Sequence, residues 1–193
     1  MIPPELSLRM FDRRVVLLRG PLDDELASRV ASELMVLDAS GDGLIELHVD
    51  SAGGSLPAAF TVIDTMDLLG VPVHTVCVGR AEGSAVGVVA TGARRSAAVH
   101  ARFRMCEPVV TASGTARELS TWADLYAKEL ARFVARLSAA TGRPAEHLEA
   151  ELAAGRWMDC GEAISYHLVD GVWGPARPGP GEPGRRLGFG PPS

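Results

Sequence analysis

The sequence lacks most features that would place the protein outside the class of ordinary globular domains. It contains only three cysteines in 193 residues, an odd number, and no two of them stand in a CxxC spacing. A disulfide framework and a zinc site are therefore not indicated. Lysine and arginine form no cluster, and the net charge of −5 argues against a nucleic-acid-binding protein.

Long apolar runs are missing as well. No stretch approaches the length of a membrane span, and the first residues lack the basic and then apolar layout of a signal peptide. We therefore expect a cytoplasmic protein without a membrane segment. Hydrophobic residues make up 47% of the chain and charged residues 22%, which is a globular composition. The length suits one domain with a sizeable core.

Segments with strand and helix patterns alternate along the chain. Strands are predicted at Val15–Leu18, Leu44–Val49, Val73–Val78, Val99–Cys106 and Leu168–Trp173. Helices are predicted from about Asp24 to Asp38, from Ala58 to Leu69, from the turn after the third strand to Gly92, and from Pro144 to Ala153. Asp159 and Glu162 form a capping box that predicts the start of a further helix. This order predicts an α/β fold with mainly parallel strands and right-handed crossovers. We expect one domain over residues 1–173 and a disordered tail, rich in Pro, Gly and Arg, over residues 174–193.

The turn after the third strand is where a nucleophile could be presented. The sequence predicts a tight turn at Gly79, followed by a helix of small residues. A helix N-terminus offers free backbone N–H groups that stabilise a developing oxyanion. Ser84 stands at this turn and is the first candidate nucleophile.

A long helix is predicted over residues 116–140, with apolar residues every three or four positions. Ser113 or Thr115 can cap its start, and Gly142 ends it. About 25 residues span roughly 37 Å, which is long for a single domain of this size to bury. We expect part of the apolar stripe to pack on another subunit, the alternative being a helix that lies across the core.

Five blocks of the sequence, in the same order, resemble those of the proteolytic subunit of the ATP-dependent Clp protease, a serine peptidase on the ClpP/crotonase fold. The blocks are Gly20–Asp24, Asp50–Ser55, Ile63–Met66, Thr75–Gly79 and Ala163–Asp170. The resemblance covers roughly Arg13 to Val172. It implies a spiral of βαβ units with a protruding long helix that joins stacked rings, and an AAA+ ATPase partner. Few residues precede the first strand, so we expect the axial loops that help to dock the ATPase to be shortened or absent.

The resemblance also implies where a catalytic triad would lie, and all three positions depart from it. Alignment without a gap between Gly79 and Gly92 puts Gly83 at the serine position. Cys106 stands at the histidine position and Glu151 at the aspartate position. Glycine has no nucleophile, and a thiol with an ordinary pKa near 8.5 cannot replace an imidazole as the base.

The oxyanion-binding part of the site, in contrast, is expected to be kept. Gly53 and Gly54 match the glycine pair of the family, and Ser84 would supply a second backbone N–H. The glycine pair also fits a simpler interpretation, a strand-to-helix turn that only glycine can form. Peptide binding without cleavage is compatible with this pattern.

The preferred hypothesis is a proteolytically inactive, ring-forming structural or regulatory subunit, either as a self-oligomer or in a mixed ring with an active homologue. No cofactor or metal is expected. The alternative is an active serine endopeptidase that uses Ser84 with a non-standard base, for which His48 and His100 are the histidines considered. Cys106 as a nucleophile lacks a visible base. An acyl-thioester enzyme of the crotonase type is a third hypothesis.

Overall fold

Strands and helices follow one another along residues 4–174, the part of the chain that this computed structural model describes. The strands are β1 (Val15–Arg19), β2 (Ile45–Ser51), β3 (Val73–Glu82), β4 (Arg94–Ala97), β5 (Arg102–Met105), β6 (Arg156–Asp159) and β7 (Gly171–Val172). The helices are α1 (Pro4–Phe11), α2 (Asp24–Ala39), α3 (Leu56–Leu68), α4 (Ser84–Ala90), α5 (Ala116–Thr141), α6 (Ala145–Ala154) and α7 (Cys160–Ser165). Most of the predicted tail, residues 175–193, lies outside the described residues.

The strands form one sheet in the order β1-β2-β3-β4-β7, with all of these neighbours parallel. β5 adds to β3 in parallel, and β6 adds to β5 in antiparallel orientation. Parallel neighbours need crossover connections, which the helices provide. The α/β prediction with mainly parallel strands is confirmed.

Strand β3 changes its neighbour along its length, and this positions the candidate site. Residues 74–77 pair with β4, whereas residues 80–82 pair with β5. The tight turn predicted at Gly79 is therefore wrong, because pairing with β5 carries the strand on to Glu82. The turn into α4 falls at Gly83.

Other differences from the predicted elements arise where a strand forms because it pairs with neighbouring strands, not because its own sequence has a strand pattern. Helix α1 and strands β4 and β6 are not indicated by the sequence patterns. β4 has the sequence Arg-Arg-Ser-Ala and is a strand because it lies between β3 and β7. The strand predicted from Val99 begins only at Arg102, since residues 99 and 100 form a turn, and β7 is shorter than predicted.

The core lies between one face of the sheet and helices α2, α3 and α4. In β2 the buried Ile45, Leu47 and Val49 alternate with residues of the opposite face, as a strand with one core face requires. Cys77, predicted as a core residue, is fully buried. Burial raises its pKa to about 12, so its thiol is inert.

Helix α5 is packed only near its end. It begins with a capping box between Thr115 and Glu118 and ends at Gly142, close to the predicted bounds. Its buried residues are Phe133, Val134, Leu137 and Thr141, so its first half projects from the domain rather than lying across the core. Within residues 4–174, none of the helices has the length and apolarity that crossing a membrane requires.

Candidate active site

Gly83 forms an elbow between β3 and α4. Its backbone has φ of 50° and ψ of −120°, a conformation that residues with a Cβ rarely adopt. Its N–H donates to the carbonyl oxygen of Arg104 at 3.0 Å, which fixes the elbow to β5. A strained strand-to-helix elbow is the frame that α/β hydrolases use to present a nucleophile, although here the residue at its apex has no side chain.

The structure brings Gly83 and Cys106 together. A Cβ built on Gly83 would lie 3.6 Å from Cys106 Sγ and 3.4 Å from the Cys106 carbonyl oxygen, which are ordinary contact distances. A side chain at position 83 would therefore point at the side chain of position 106. These are the two positions at which a nucleophile and its base were expected from the alignment.

The Cys106 thiol is not poised as a nucleophile or a base. It is partly buried, and burial raises its pKa. The Arg104 charge and a hydrogen bond with the Gly83 backbone lower the pKa, and the Glu82 charge raises it, but the net shift is upward. The thiol therefore stays protonated at neutral pH.

Ser84, the alternative nucleophile, is fully buried at the start of α4. Its hydroxyl donates to the carbonyl oxygen of Gly54 at 3.1 Å and accepts from the Gly54 N–H at 3.0 Å. The hydroxyl thus clamps the glycine loop to the elbow. Both hydrogen bonds would have to break before the oxygen could attack a substrate.

The glycine loop after β2 lies between Leu22 and the elbow. Gly53 has φ of 82°, and a Cβ there would come within 2.5 Å of the Glu82 carbonyl oxygen. At Gly54 a Cβ would collide with the Leu22 backbone, which pairs with this loop. Only glycine fits at both positions, as the simpler interpretation of the pair required.

The three N–H groups expected at an oxyanion pocket are not equally available. The Gly53 N–H donates to Ser51 Oγ at 3.1 Å, and the Gly54 N–H is taken by Ser84. The Ser84 N–H, at the first position of α4, has no hydrogen-bond acceptor within residues 4–174. It is the one free donor of the three, and it belongs to a fully buried residue.

Glu151 is engaged by partners other than Cys106. Its carboxylate accepts hydrogen bonds from the Tyr166 hydroxyl and from Arg156, and His147 Nε2 lies 3.3 Å from it. Burial raises the pKa of Glu151, but these hydrogen bonds outweigh it and the net pKa is lowered. Among the described residues, the hydrogen bonds and ion pairs of Glu151 do not include Cys106. The carboxylate ties α6 to β6 and α7.

No histidine of the described chain forms a hydrogen bond with the elbow. His48 Nε2 lies 2.8 Å from Glu46 Oε2, and His74 Nε2 lies 2.9 Å from Ser96 Oγ, both on the sheet face away from the core. His100 is exposed in the turn before β5. His48 and His100, the two bases considered for Ser84, therefore form no hydrogen bond with it.

A charged pair beside the elbow is not indicated by the sequence motifs. Glu82, which precedes Gly83, is 7% exposed, and its carboxylate lies 3.3 Å from Arg80 Nη1 and 3.7 Å from Arg104 Nη1. Arg102 and Arg104 alternate in β5, which places them on the face that Glu82 shares. That alternation was the available signal, but the pairing of β5 with β3 could not be read from it.

A groove of about 430 Å³ lies beside the site, between the irregular segment 109–113 and the projecting half of α5. The groove is also lined by Pro57 and by Ser55, which directly follows the glycine pair. Pro108, at the start of the segment, contacts the space above Gly83, where a Cβ would lie 3.8 Å from it. The groove and the elbow therefore adjoin. Among the described residues there is no cluster of three or more His, Cys, Asp or Glu that could hold a metal ion.

A strained elbow on a parallel sheet, next to a glycine loop and a groove, is the frame of an acyl-transfer site. In a comparison with known protein families, the family model described as Clp protease matches residues 5–176 of the chain. The chain belongs to the Clp protease family, as the resemblance of its sequence blocks implied.

Individual relatives agree over most of their length. The chain is 34% identical over 173 residues to the ATP-dependent Clp protease proteolytic subunit 2 of Thermobifida fusca, covering 87% of this chain and 84% of the relative. It is 33% identical over 172 residues to proteolytic subunit 1 of Mycobacterium tuberculosis, and 32% identical over 172 residues to that of Mycobacterium leprae. Both of these alignments cover 85% of this chain and 84% of the relative. The protein is thus a homologue of Clp proteolytic subunits.

Proposed function

We propose that this chain is a Clp-type subunit that binds peptides without cleaving them and acts as a ring-forming structural or regulatory component. One observation carries the proposal: the apex of the elbow is Gly83, and a side chain there would meet the protonated thiol of Cys106. Neither position supplies the hydroxyl or the imidazole that serine-peptidase chemistry needs. Glu151, at the third position, is engaged by Arg156 and Tyr166.

The test is a fluorophosphonate label combined with a short fluorogenic peptide assay on the purified chain, with an active Clp-type peptidase as the positive control. We expect neither labelling nor turnover. A label on Ser84 with turnover that Ser84→Ala removes would contradict the proposal. It would favour the alternative, an active endopeptidase that uses Ser84.

Assembly through α5 is the second part of the proposal. Leu119, Trp122 and Leu125 are spaced by three residues on the projecting half, and their exposed fractions are 41%, 52% and 44%. Residues at this spacing share one helix face, so the helix presents an apolar stripe. We propose that a second ring covers the Leu119 end of this stripe and leaves the sides of Trp122 and Leu125 that face the neighbouring groove open.

Light scattering after size-exclusion chromatography tests the assembly. Leu119→Glu, which puts a charge into the stripe, should lower the oligomeric mass. Ala127→Glu puts the same charge on the opposite side of the same helix and should leave the mass unchanged. A wild-type chain that stays monomeric at high concentration would contradict the assembly.

The partners follow from the same picture. The rings contain copies of this chain alone or alternate with an active homologue, and coupling to an AAA+ ATPase runs through that homologue. Co-expression with an active Clp subunit that carries an affinity tag tests this, because a mixed ring would retain this chain on the resin at a fixed ratio. We place the protein in the cytoplasm, in keeping with its three free cysteines, and cell fractionation tests the location.

A further inference from the structure

The groove beside the elbow has apolar walls. Val109 and Val110 come from the irregular segment 109–113, and Trp122, Leu125 and Tyr126 come from α5. Val109 is 78% exposed and Trp122 is 52% exposed, so these walls face solvent in the single chain. The volume lies within the range of about 300–1,000 Å³ that is typical of ligand sites.

The charged residues that line the groove are all acidic. Asp24, at the first position of α2, and Glu129, on α5, both line it. The lining residues, all within the described range, include no lysine or arginine. Neither carboxylate takes part in an ion pair within residues 4–174, so both are available to a cation that enters the groove.

The segment on one side of the groove has free main-chain groups. Residues 109–113 form neither a strand nor a helix, and their N–H and C=O groups have no hydrogen-bond partner among the described residues. The Tyr126 hydroxyl donates to the Pro108 carbonyl oxygen at 2.7 Å, which ties the start of the segment to α5. A segment whose main-chain groups are free can pair with the backbone of a bound peptide, while the side chains of the peptide occupy the groove.

From these observations we infer that the groove selects extended peptides in which a lysine or arginine stands beside an apolar residue. The inference rests on the proposed peptide-binding function and names its ligand class. The aliphatic stem of a basic side chain can lie along the apolar wall while its charged end meets Glu129 and Asp24. The ring of Trp122 adds a favourable face for a cation. A glutamate at the same place in the peptide would be repelled by both carboxylates.

Fluorescence anisotropy with three labelled hexapeptides tests the selection. The peptides share an apolar residue and differ only at the next position, which is lysine, glutamine or glutamate. Exposed ion pairs are worth about 0.2–1 kcal/mol each, so two should favour the lysine peptide over the glutamine peptide by about twofold to thirtyfold. The glutamate peptide should bind more weakly than the glutamine peptide, and the differences should shrink as salt is raised.

Variants assign the selection to the groove. The double variant Asp24→Asn with Glu129→Gln should bind the lysine and glutamine peptides within about twofold of one another, a residual difference that uncharged contacts of the lysine stem can leave. Asp124→Asn removes the same charge from the opposite side of α5 and should leave the preference intact. Equal binding of the lysine and glutamine peptides to the wild type, no detectable binding of any peptide, or an unchanged preference in the double variant would each overturn the inference. Peptide cleavage is measured separately, so an active chain with a basic preference would contradict the proposed function and leave this inference standing.

Discussion

Replacing Ser84 by alanine separates a structural role of its hydroxyl from a catalytic one. The hydroxyl is buried and forms two hydrogen bonds with the Gly54 backbone, one as donor and one as acceptor. The substitution removes one oxygen atom and leaves both Gly54 groups without that partner. The free energy of unfolding should therefore fall whether or not the chain cleaves peptides.

The size of the effect follows from the two bonds. A hydrogen bond inside a protein contributes about 1 kcal/mol net, so the loss should be about 2 kcal/mol. Alanine is close to serine in volume and is a good helix former, so cavity and propensity effects are small. For a domain of 150–250 residues, each kcal/mol shifts Tm by about 2–4 °C, which gives a decrease of about 4–8 °C.

Urea unfolding followed by circular dichroism, at one protein concentration for all variants, measures the change. Ser32→Ala is the matched control, because the Ser32 hydroxyl bonds only to the Ser28 carbonyl oxygen on the exposed face of α2. Its effect should stay within about 0.5 kcal/mol. If Ser84→Ala is as stable as the wild type, the clamp does not stabilise the fold. If it also abolishes a turnover that the wild type shows, the hydroxyl is the nucleophile.

Three further experiments test the rest of the site. The folded-state pKa of Glu151 is lowered, so the stability that its carboxylate contributes is present above the unfolded pKa near 4.5 and is lost as the pH falls through the folded value. Glu151→Gln should therefore make the free energy of unfolding less dependent on pH in this acid range. An unchanged pH dependence would contradict the hydrogen bonds of Glu151 with Tyr166 and Arg156. Cys106, with its raised pKa, should react slowly with iodoacetamide at pH 7 and about tenfold faster per pH unit above it, measured by mass spectrometry. Rapid alkylation independent of pH would contradict this, and the buried Cys77 and Cys160 should stay unlabelled in the folded chain. Gly83→Ala should cost about 1–3 kcal/mol through backbone strain at positive φ, although the added Cβ finds room, and an unchanged urea midpoint would contradict the elbow conformation.

The elements that could be predicted from sequence are those whose signals are local. Helix α5 is delimited by a capping residue and a terminal glycine, and its bounds fall within one residue of the prediction. The box formed by Asp159 and Glu162 likewise starts α7. β4 was missed because its residues carry no strand pattern of their own. Its structure comes from neighbours that are distant in sequence, β3 and β7.

In the candidate site, too, some features could be predicted from the sequence and others could not. The adjacency of Gly83 and Cys106 agrees with an alignment that fixed their spacing, because strand order places the end of β5 beside the elbow. The bond of Ser84 to Gly54 joins residues 30 positions apart, and Tyr166, which bonds to Glu151, lies 15 positions further along the chain, just after α7. Such contacts depend on side-chain directions in the folded chain, which periodicity does not report.

Because Glu151 is held by Tyr166 and Arg156, the effects of substitutions at positions 83, 106 and 151 would depend on one another. Shortening Glu151 to aspartate would withdraw the carboxylate from Tyr166 and Arg156 and leave the buried Tyr166 hydroxyl without this partner. A serine at position 83 would bear the strain of the elbow, and a histidine at position 106 would still lack an orienting carboxylate while Glu151 keeps its present partners. Each step alone lowers stability or gives no turnover, so a gradual series of single substitutions from this sequence to a working triad would pass through unfavourable intermediates.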